Sequence, residues 1–333
     1  MQLDNKILVT GAIGFIGFHL SNFFLKNGFT VFGIDSMNEY YDINLKTSRL
    51  NILSKHENFT FKQVDICDKQ TLDKLFAEEK FDIVINLAAQ AGVRYSIDHP
   101  YKYIDSNLIG FINILEACRN FPVKHMIFAS SSSVYGSNTK IPFSVSDQTD
   151  SPVSLYAATK KANELMAYSY SHLYNIPMTG LRFFTVYGPW GRPDMAYYSF
   201  TKNIIEGKPI KLYNNGKMRR DFTYVDDVVS GIYGLLEHLS KSNFAWTNTE
   251  KQIAIFNIGN NKPVELIHFV QTLENVIGKK ANIEMLPMQD GDVVETYADI
   301  DCLKKIIGFN PKTNIEEGLQ QFFDWYKVFN QTN

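Results

Sequence analysis

Near its start the chain carries a short apolar run, Lys6-Ile-Leu-Val-Thr10, that leads directly into Gly11-Ala-Ile-Gly14-Phe-Ile-Gly17. The run is too short for a helix and reads as a strand. After Gly17 the apolar residues Phe18, Leu20, Phe23, Phe24 and Leu25 recur at helical spacing until Asn27-Gly28 stops them. No other feature constrains the fold as much as this order of strand, glycine turn and helix. Glycine permits the tight turn and lets backbone approach a diphosphate resting on the helix N-terminus. Gly11, Ile13, Gly14, Phe15, Ile16 and Gly17 are therefore the expected dinucleotide turn. The glycines are spaced three and three, a departure from the commonest fingerprint. The next predicted strand, Thr30-Val-Phe-Gly-Ile34, ends at Asp35. A carboxylate there accepts hydrogen bonds from an adenosine ribose and repels a 2′-phosphate, so NAD is expected rather than NADP.

Strand and helix patterns alternate through the first half, which predicts an α/β fold: a Rossmann-type, doubly wound parallel sheet. Further strands are expected at Thr60–Val64, Phe81–Ile85, His125–Ala129 and Met178–Phe184, with helices over Tyr103–Cys118 and Leu155–Tyr174. Asp35, Asp65, Leu87-Ala88-Ala89, Ser131 and Thr185 each follow a strand end, so all should face one crevice. After Thr185 the alternation loosens, beginning with the loop chemistry of Pro189-Trp-Gly-Arg-Pro193. The expected division is a dinucleotide domain over 1–185, to which 221–239 returns, and a smaller α/β substrate-binding domain over 186–220 and 240–333.

A second pair of segments names a chemistry. The run Ser130-Ser131-Ser132-Ser133 precedes Tyr156-Ala-Ala-Thr-Lys160. Tyrosine and lysine four apart share one helix face, so the ammonium is expected beside the phenol. A phenol of pKa roughly 10 is a poor base at neutral pH, and a neighbouring cation favours the phenolate. With a serine hydroxyl sharing the proton, Tyr156, Lys160 and Ser131 are the candidate catalytic set for hydride transfer at a secondary alcohol.

Composition excludes other classes. At 333 residues and 45% hydrophobic, the chain can bury a large core. A net charge of −2 without a basic stripe gives no reason to expect nucleic acid. Cys67, Cys118 and Cys302 are dispersed, which suits a reducing compartment. No basic-then-apolar leader precedes the first strand and no apolar stretch reaches membrane-spanning length, so a cytoplasmic protein without a membrane partner is expected. The seven histidines show no ligand spacing with one another or with cysteine, and no metal site is expected.

Several segments, in order, resemble the extended short-chain dehydrogenase/reductase family of NAD-dependent epimerases and dehydratases across nearly the whole chain. Besides the motifs above they are Asn38-Glu-Tyr-Tyr-Asp-Ile-Asn-Leu-Lys46 with Arg49, Ala88-Ala-Gln-Ala-Gly-Val-Arg94-Tyr-Ser96, and Arg182-Phe-Phe-Thr-Val-Tyr-Gly-Pro-Trp-Gly-Arg192-Pro-Asp-Met195. Two more are Arg219-Arg-Asp-Phe-Thr-Tyr-Val-Asp226 and Gly291-Asp-Val-Val-Glu-Thr-Tyr-Ala-Asp299. The likeness is greatest to the family's nucleotide-sugar 4-epimerases, and it implies interconversion of UDP-glucuronate and UDP-galacturonate through a 4-keto sugar. It further implies Tyr156 as base, Lys160 as its partner and holder of the nicotinamide ribose, and Ser131 on the reacting oxygen. Asp65 and Ile66 would meet adenine, and Leu87, Ala88 and Ala89 would line the cofactor site. Thr185 would help hold the sugar acid, Arg192 would contact the substrate, Arg220 would hold the diphosphate, and Asp292 the uridine ribose; Ser132 and Ser133 are expected as neutral hydroxyl donors to the sugar carboxylate. Arg94 would be a further substrate contact, and the helices near 100–118 and 155–174 would form a homodimer.

In the resemblance, dehydratases carry Asp-Glu directly after the position of Ser131, and sugar-acid decarboxylases a glutamate two residues after it. Here those positions are Ser132 and Ser133, so proton traffic at C5 or C6 lacks its general acid or base. Return of hydride to the opposite face is the simplest remaining path. Two alternatives stand beside it: a 4-epimerase of a neutral UDP-hexose or UDP-N-acetylhexosamine, and a nucleotide-sugar-binding protein that has lost its chemistry.

Overall fold

The structure is a computed structural model that describes residues 5–246, 252–288 and 293–331. Twelve strands are described: β1 (Lys6–Thr10), β2 (Thr30–Asp35), β3 (Phe59–Gln63), β4 (Ile83–Asn86), β5 (His125–Ser131), β6 (Met178–Phe183), β7 (Thr185–Tyr187), β8 (Pro209–Leu212), β9 (Arg219–Tyr224), β10 (Ile253–Ile258), β11 (Pro263–Glu265) and β12 (Asn282–Met285). Seven of them form one parallel sheet in the order β10-β6-β5-β4-β1-β2-β3. Chain order reverses beside β1, between β2 and β4, and that reversal opens a crevice beyond the strand ends.

The central strands are buried on both faces, so they read as unbroken apolar runs rather than alternating ones. Along β1, Ile7 and Val9 join one core cluster while Leu8 joins the other. The first cluster lies beneath the helices Phe15–Lys26 and Val225–Ser240, which meet through Phe23 and Tyr233 at 5.2 Å between ring centroids. The second lies beneath Lys69–Glu79 and Gly110–Asn120.

Two strands depart from the expected plan. Ile253–Ile258, grouped on sequence with the smaller domain, pairs in parallel with β6 and forms the edge of the large sheet. The stretch 221–239 divides: its helix packs on Phe15–Lys26, whereas β9 pairs with β7 and β11 in a separate three-stranded sheet. That small sheet, the β8–β12 pair and the helices Ala196–Glu206, Leu266–Ile277 and Ile315–Asn330 surround a third core built on Tyr197, Phe222, Phe269 and Phe322. The helix Tyr103–Cys118 is interrupted: Pro100–Tyr103 and Gly110–Asn120 flank a wider π-type turn over Ile104–Ile109. Among the described residues no helix is long and apolar enough to cross a membrane.

At the base of β5, His125 is fully buried, one ring nitrogen on the Phe244 carbonyl at 2.7 Å and the other on the Thr179 hydroxyl at 2.8 Å. Burial lowers its pKa to about 4, whereas the unfolded side chain titrates near ~6.5. Below that value the unfolded chain takes up a proton that the folded one refuses. The contribution of His125 is therefore intact above about 6.5 and lost as pH falls toward about 4. Folding stability should drop by roughly 2 kcal/mol between about pH 7 and 5 from this group. Denaturant melts across that range should show a shallower loss for His125→Gln than for the parent chain.

Candidate active site

The crevice beyond the large sheet is walled first by the glycine turn. Gly11 takes φ +67°, and a Cβ on it would lie 2.9 Å from the Ala88 backbone nitrogen. A Cβ on Gly17 would lie 2.1 Å from the Gly11 carbonyl oxygen. Backbone thus packs on backbone, and a cradle remains that side chains would fill. The helix Phe15–Lys26 begins there with no acidic residue in its first turn and no side chain capping it. Its N-terminal amides can accept a diphosphate.

Asp35 sits at the tip of β2, where its Oδ1 accepts from the Met37 amide at 2.9 Å and from Lys46 at 3.4 Å. Lys46 also donates to Asn38 Oδ1 at 3.0 Å. Asp35, Asp65, Ile66, Leu87, Ala88 and Ala89 line one end of the cleft, with Gly11, Gly14, Phe15, Ile16 and Gly17. Ile13 does not; its side chain is in the core and its carbonyl faces Arg49. The donors and the glycine cradle fit a dinucleotide with a free adenosine ribose.

The other end of the cleft is lined by Ser131, Ser132, Ser133, Tyr156, Lys160, Thr185, Arg192 and Arg220. Ser131 ends β5, where its hydroxyl donates to Ser133 Oγ and accepts the Ser133 amide, each at 3.1 Å. Tyr156 and Lys160 occupy the first turns of the helix Leu155–Tyr174, which Ser154 caps by accepting the Ala157 amide. Burial raises the pKa of the Tyr156 phenol, while a hydrogen bond with Ser131 and the charge of Arg192 act in the opposite sense. Lys160 is lowered to about 8 by burial, and its ammonium donates to the Ala129 carbonyl at 3.0 Å. Spacing alone puts that ammonium beside the phenol. In the structure the Lys160 ammonium is anchored on β5 through that carbonyl, and the Arg192 charge also favours the phenolate.

Arg192 grips Asp194 in a forked pair, Nε to Oδ1 at 3.0 Å and Nη2 to Oδ2 at 2.6 Å, and the Tyr40 hydroxyl joins Asp194 at 3.2 Å. Burial works against the Asp194 carboxylate, but the Arg192 charge and hydrogen bonds prevail and hold its pKa below the usual range. Arg220 bonds the carbonyls of Arg219 and Val294 at 3.0 and 3.1 Å. Arg94 lies outside the cleft lining, exposed, with its guanidinium over the Tyr213 ring at 4.7 Å. Asp292 lies outside the described residues.

Sequence reasoning misses Lys46, Tyr40, Asp194 and Glu164. Glu164 is recoverable, since it stands four residues after Lys160 on the same helix face. It accepts a bidentate pair from Arg182 at 2.8 and 2.9 Å and the Ser130 hydroxyl at 2.7 Å. Asp194, two residues beyond Arg192, has no periodicity to mark it.

A family profile described as GDP-mannose 4,6 dehydratase matches residues 8–322. The chain belongs to the GDP-mannose 4,6 dehydratase family. It is 53% identical over 328 residues to Protein CapI of Staphylococcus aureus, covering 96% of this chain and 98% of that one. It is 46% identical over 330 residues to a probable UDP-glucuronate 4-epimerase of Rhizobium meliloti, with 96% of each covered. The crystal structure of UDP-glucuronic acid 4-epimerase from Bacillus cereus, in complex with UDP-glucuronic acid and NAD, superposes with a TM-score of 0.88 at 34% identity. That match covers 97% of this chain and 99% of that one. The stretch matched by the GDP-mannose 4,6 dehydratase family includes the glycine turn, whose close packing gives a direct test. Gly17→Ala must push the Gly11 carbonyl aside, so dinucleotide retained per purified subunit should fall at least tenfold. Retention equal to the parent's would show that the turn tolerates a Cβ.

Proposed function

We propose that this protein is an NAD-dependent isomerase that interconverts UDP-glucuronate and UDP-galacturonate by inverting C4 of the sugar. The observation that carries this reading is the hydroxyl lining of the sugar end of the cleft: Ser131, Ser132, Ser133 and Thr185 line it together with Tyr156, and no carboxylate stands at 132 or 133. NAD, held by the glycine turn, Asp35 and Lys160, supplies the hydride acceptor and donor. The chain's residues do the rest. Tyr156 takes the C4 hydroxyl proton and Ser131 hydrogen-bonds the same oxygen, while the Ser131 hydrogen bond and the Arg192 charge favour the phenolate against burial. Arg220 binds the diphosphate, a pivot about which the keto sugar turns to offer its other face.

A 4-keto uronic acid is a β-keto acid, and loses CO₂ when its carboxylate bond stands perpendicular to the carbonyl plane. Ser132, Ser133 and Thr185 donate to the carboxylate as neutral groups and hold it away from that alignment. A glutamate at 133 would repel it toward loss. The family profile includes dehydratases, but the missing Asp-Glu pair leaves no acid and base for elimination. Ile97, Tyr101 and Ile109 on one helical stretch and Leu165 and Leu173 on the other are exposed. These apolar residues support a homodimer through those two faces. Free, dispersed cysteines and a nucleotide-sugar substrate support a cytoplasmic location.

Purified protein offered UDP-glucuronate should form UDP-galacturonate at least tenfold faster than it epimerises UDP-glucose, as read by chromatography of the products. The opposite preference would favour the neutral-hexose reading. Tyr156→Phe should lower turnover by about 10²-fold or more while UDP-sugar binding persists in calorimetry; an unchanged rate would remove Tyr156 as the base. Ser133→Glu should release UDP-pentose that the parent does not, and a product mixture identical to the parent's would refute the role of the hydroxyl lining.

A further inference from the structure

Arg49 is a fully buried guanidinium on the helix Ile43–Leu53 whose hydrogen bonds among the described residues go to neutral groups alone. Its Nη1 donates to the Ile13 carbonyl and the Tyr41 hydroxyl, each at 2.8 Å, and its Nη2 donates to the Trp190 carbonyl and, at 3.5 Å, to the Gly191 carbonyl. Its Nε is buried without a hydrogen-bond partner among those residues. Burying a cation is costly unless compensated, and carbonyl dipoles compensate less than a carboxylate. The arrangement is informative for what it ties together. Ile13 belongs to the dinucleotide turn, and Trp190 and Gly191 immediately precede Arg192.

The second loop needs holding. Trp190 takes φ +58°, a left-handed conformation uncommon outside glycine. Its ring is wedged among Phe18, Trp325 and Phe329 at centroid distances of 5.2–5.4 Å. A Cβ on Gly191 would lie 1.9 Å from the Tyr197 hydroxyl, so that residue has no room to shift. The segment that carries Arg49 reaches the same loop again through Tyr40 and Asp194.

We propose that Arg49 is a positioning residue: it fastens the loop that presents Arg192 to the dinucleotide turn, so that the grip on the sugar carboxylate depends on the turn holding its cofactor-binding shape. The proposal deepens the uronic-acid reading and rests on it. Lysine keeps the charge but cannot span both carbonyls, since its ammonium lacks the planar fork.

Arg49→Lys should raise KM for UDP-glucuronate at least tenfold with kcat changed less than threefold, and should lower the NAD retained per purified subunit at least threefold. Because Arg49 acts through the Arg192 loop, Arg49→Lys added to Arg192→Met should worsen kcat/KM less than twofold beyond Arg192→Met alone. Fully multiplicative losses, or an unchanged KM with full NAD, would overturn the proposal and leave Arg49 a packing residue. If Arg49→Lys does not fold, Tyr41→Phe removes one neutral partner and must show the same split on a smaller scale; no split there also overturns it. If the parent fails to turn over UDP-glucuronate, the functional reading fails by itself. The link between Arg49 and the turn is then decided by NAD content: loss supports it and parent-level retention refutes it.

Discussion

The helix Leu155–Tyr174 is clamped to the large sheet by buried polar contacts, and the positions of Tyr156 and Lys160 follow from that seat. Glu164 receives Arg182 from β6 and Ser130 from β5, while Lys160 reaches the Ala129 carbonyl on β5. On the opposite side Asn107 bonds the Thr159 hydroxyl, and Asn163 bonds the Asn107 carbonyl. Buried ion pairs are poor sources of net stability, because desolvation offsets most of their attraction. Their value here is geometric. They fix the separation between Ser131, at the end of a strand, and Tyr156, at the start of a helix, which no local propensity sets.

Around that seat, burial and nearby charge act on the Tyr156 phenol in opposite senses. Burial holds the Tyr156 phenol up and brings Lys160 down to about 8. The cation opposing the first of these, Arg192, is shared with Asp194. In the proposed function, a sugar carboxylate entering the cleft would meet an arginine already oriented by Asp194, among uncharged hydroxyl groups. On that proposal, specificity for an acid and restraint against its decarboxylation draw on the same few side chains.

Much of this is legible in the sequence because it is local. The glycine turn, the strands on either side of β1 and the Tyr156–Lys160 spacing are each encoded within a dozen residues, where periodicity and turn chemistry speak directly. What escapes is long-range. Ile253–Ile258 follows a strand and a helix, but that strand, β9, belongs to the small sheet, so its place beside β6 cannot be read from alternation. Arg49 touches carbonyls 141 and 142 residues away, and backbone acceptors have no sequence signature. Lys160 shows what spacing leaves out: four residues put two side chains on one face, but the bond from its ammonium to the Ala129 carbonyl on β5 has no sequence signature.

The central claim is that C4 loses and regains its own hydrogen within one closed site. UDP-glucuronate deuterated at C4, incubated in ordinary water until half has become UDP-galacturonate, tests it most directly. The account predicts that the galacturonate keeps its deuterium at C4, because the label never leaves the cleft. Deuterium washed into solvent would mean inversion by proton abstraction, and would contradict both the cofactor-holding role of the glycine turn and the part of Tyr156 as base toward the C4 hydroxyl.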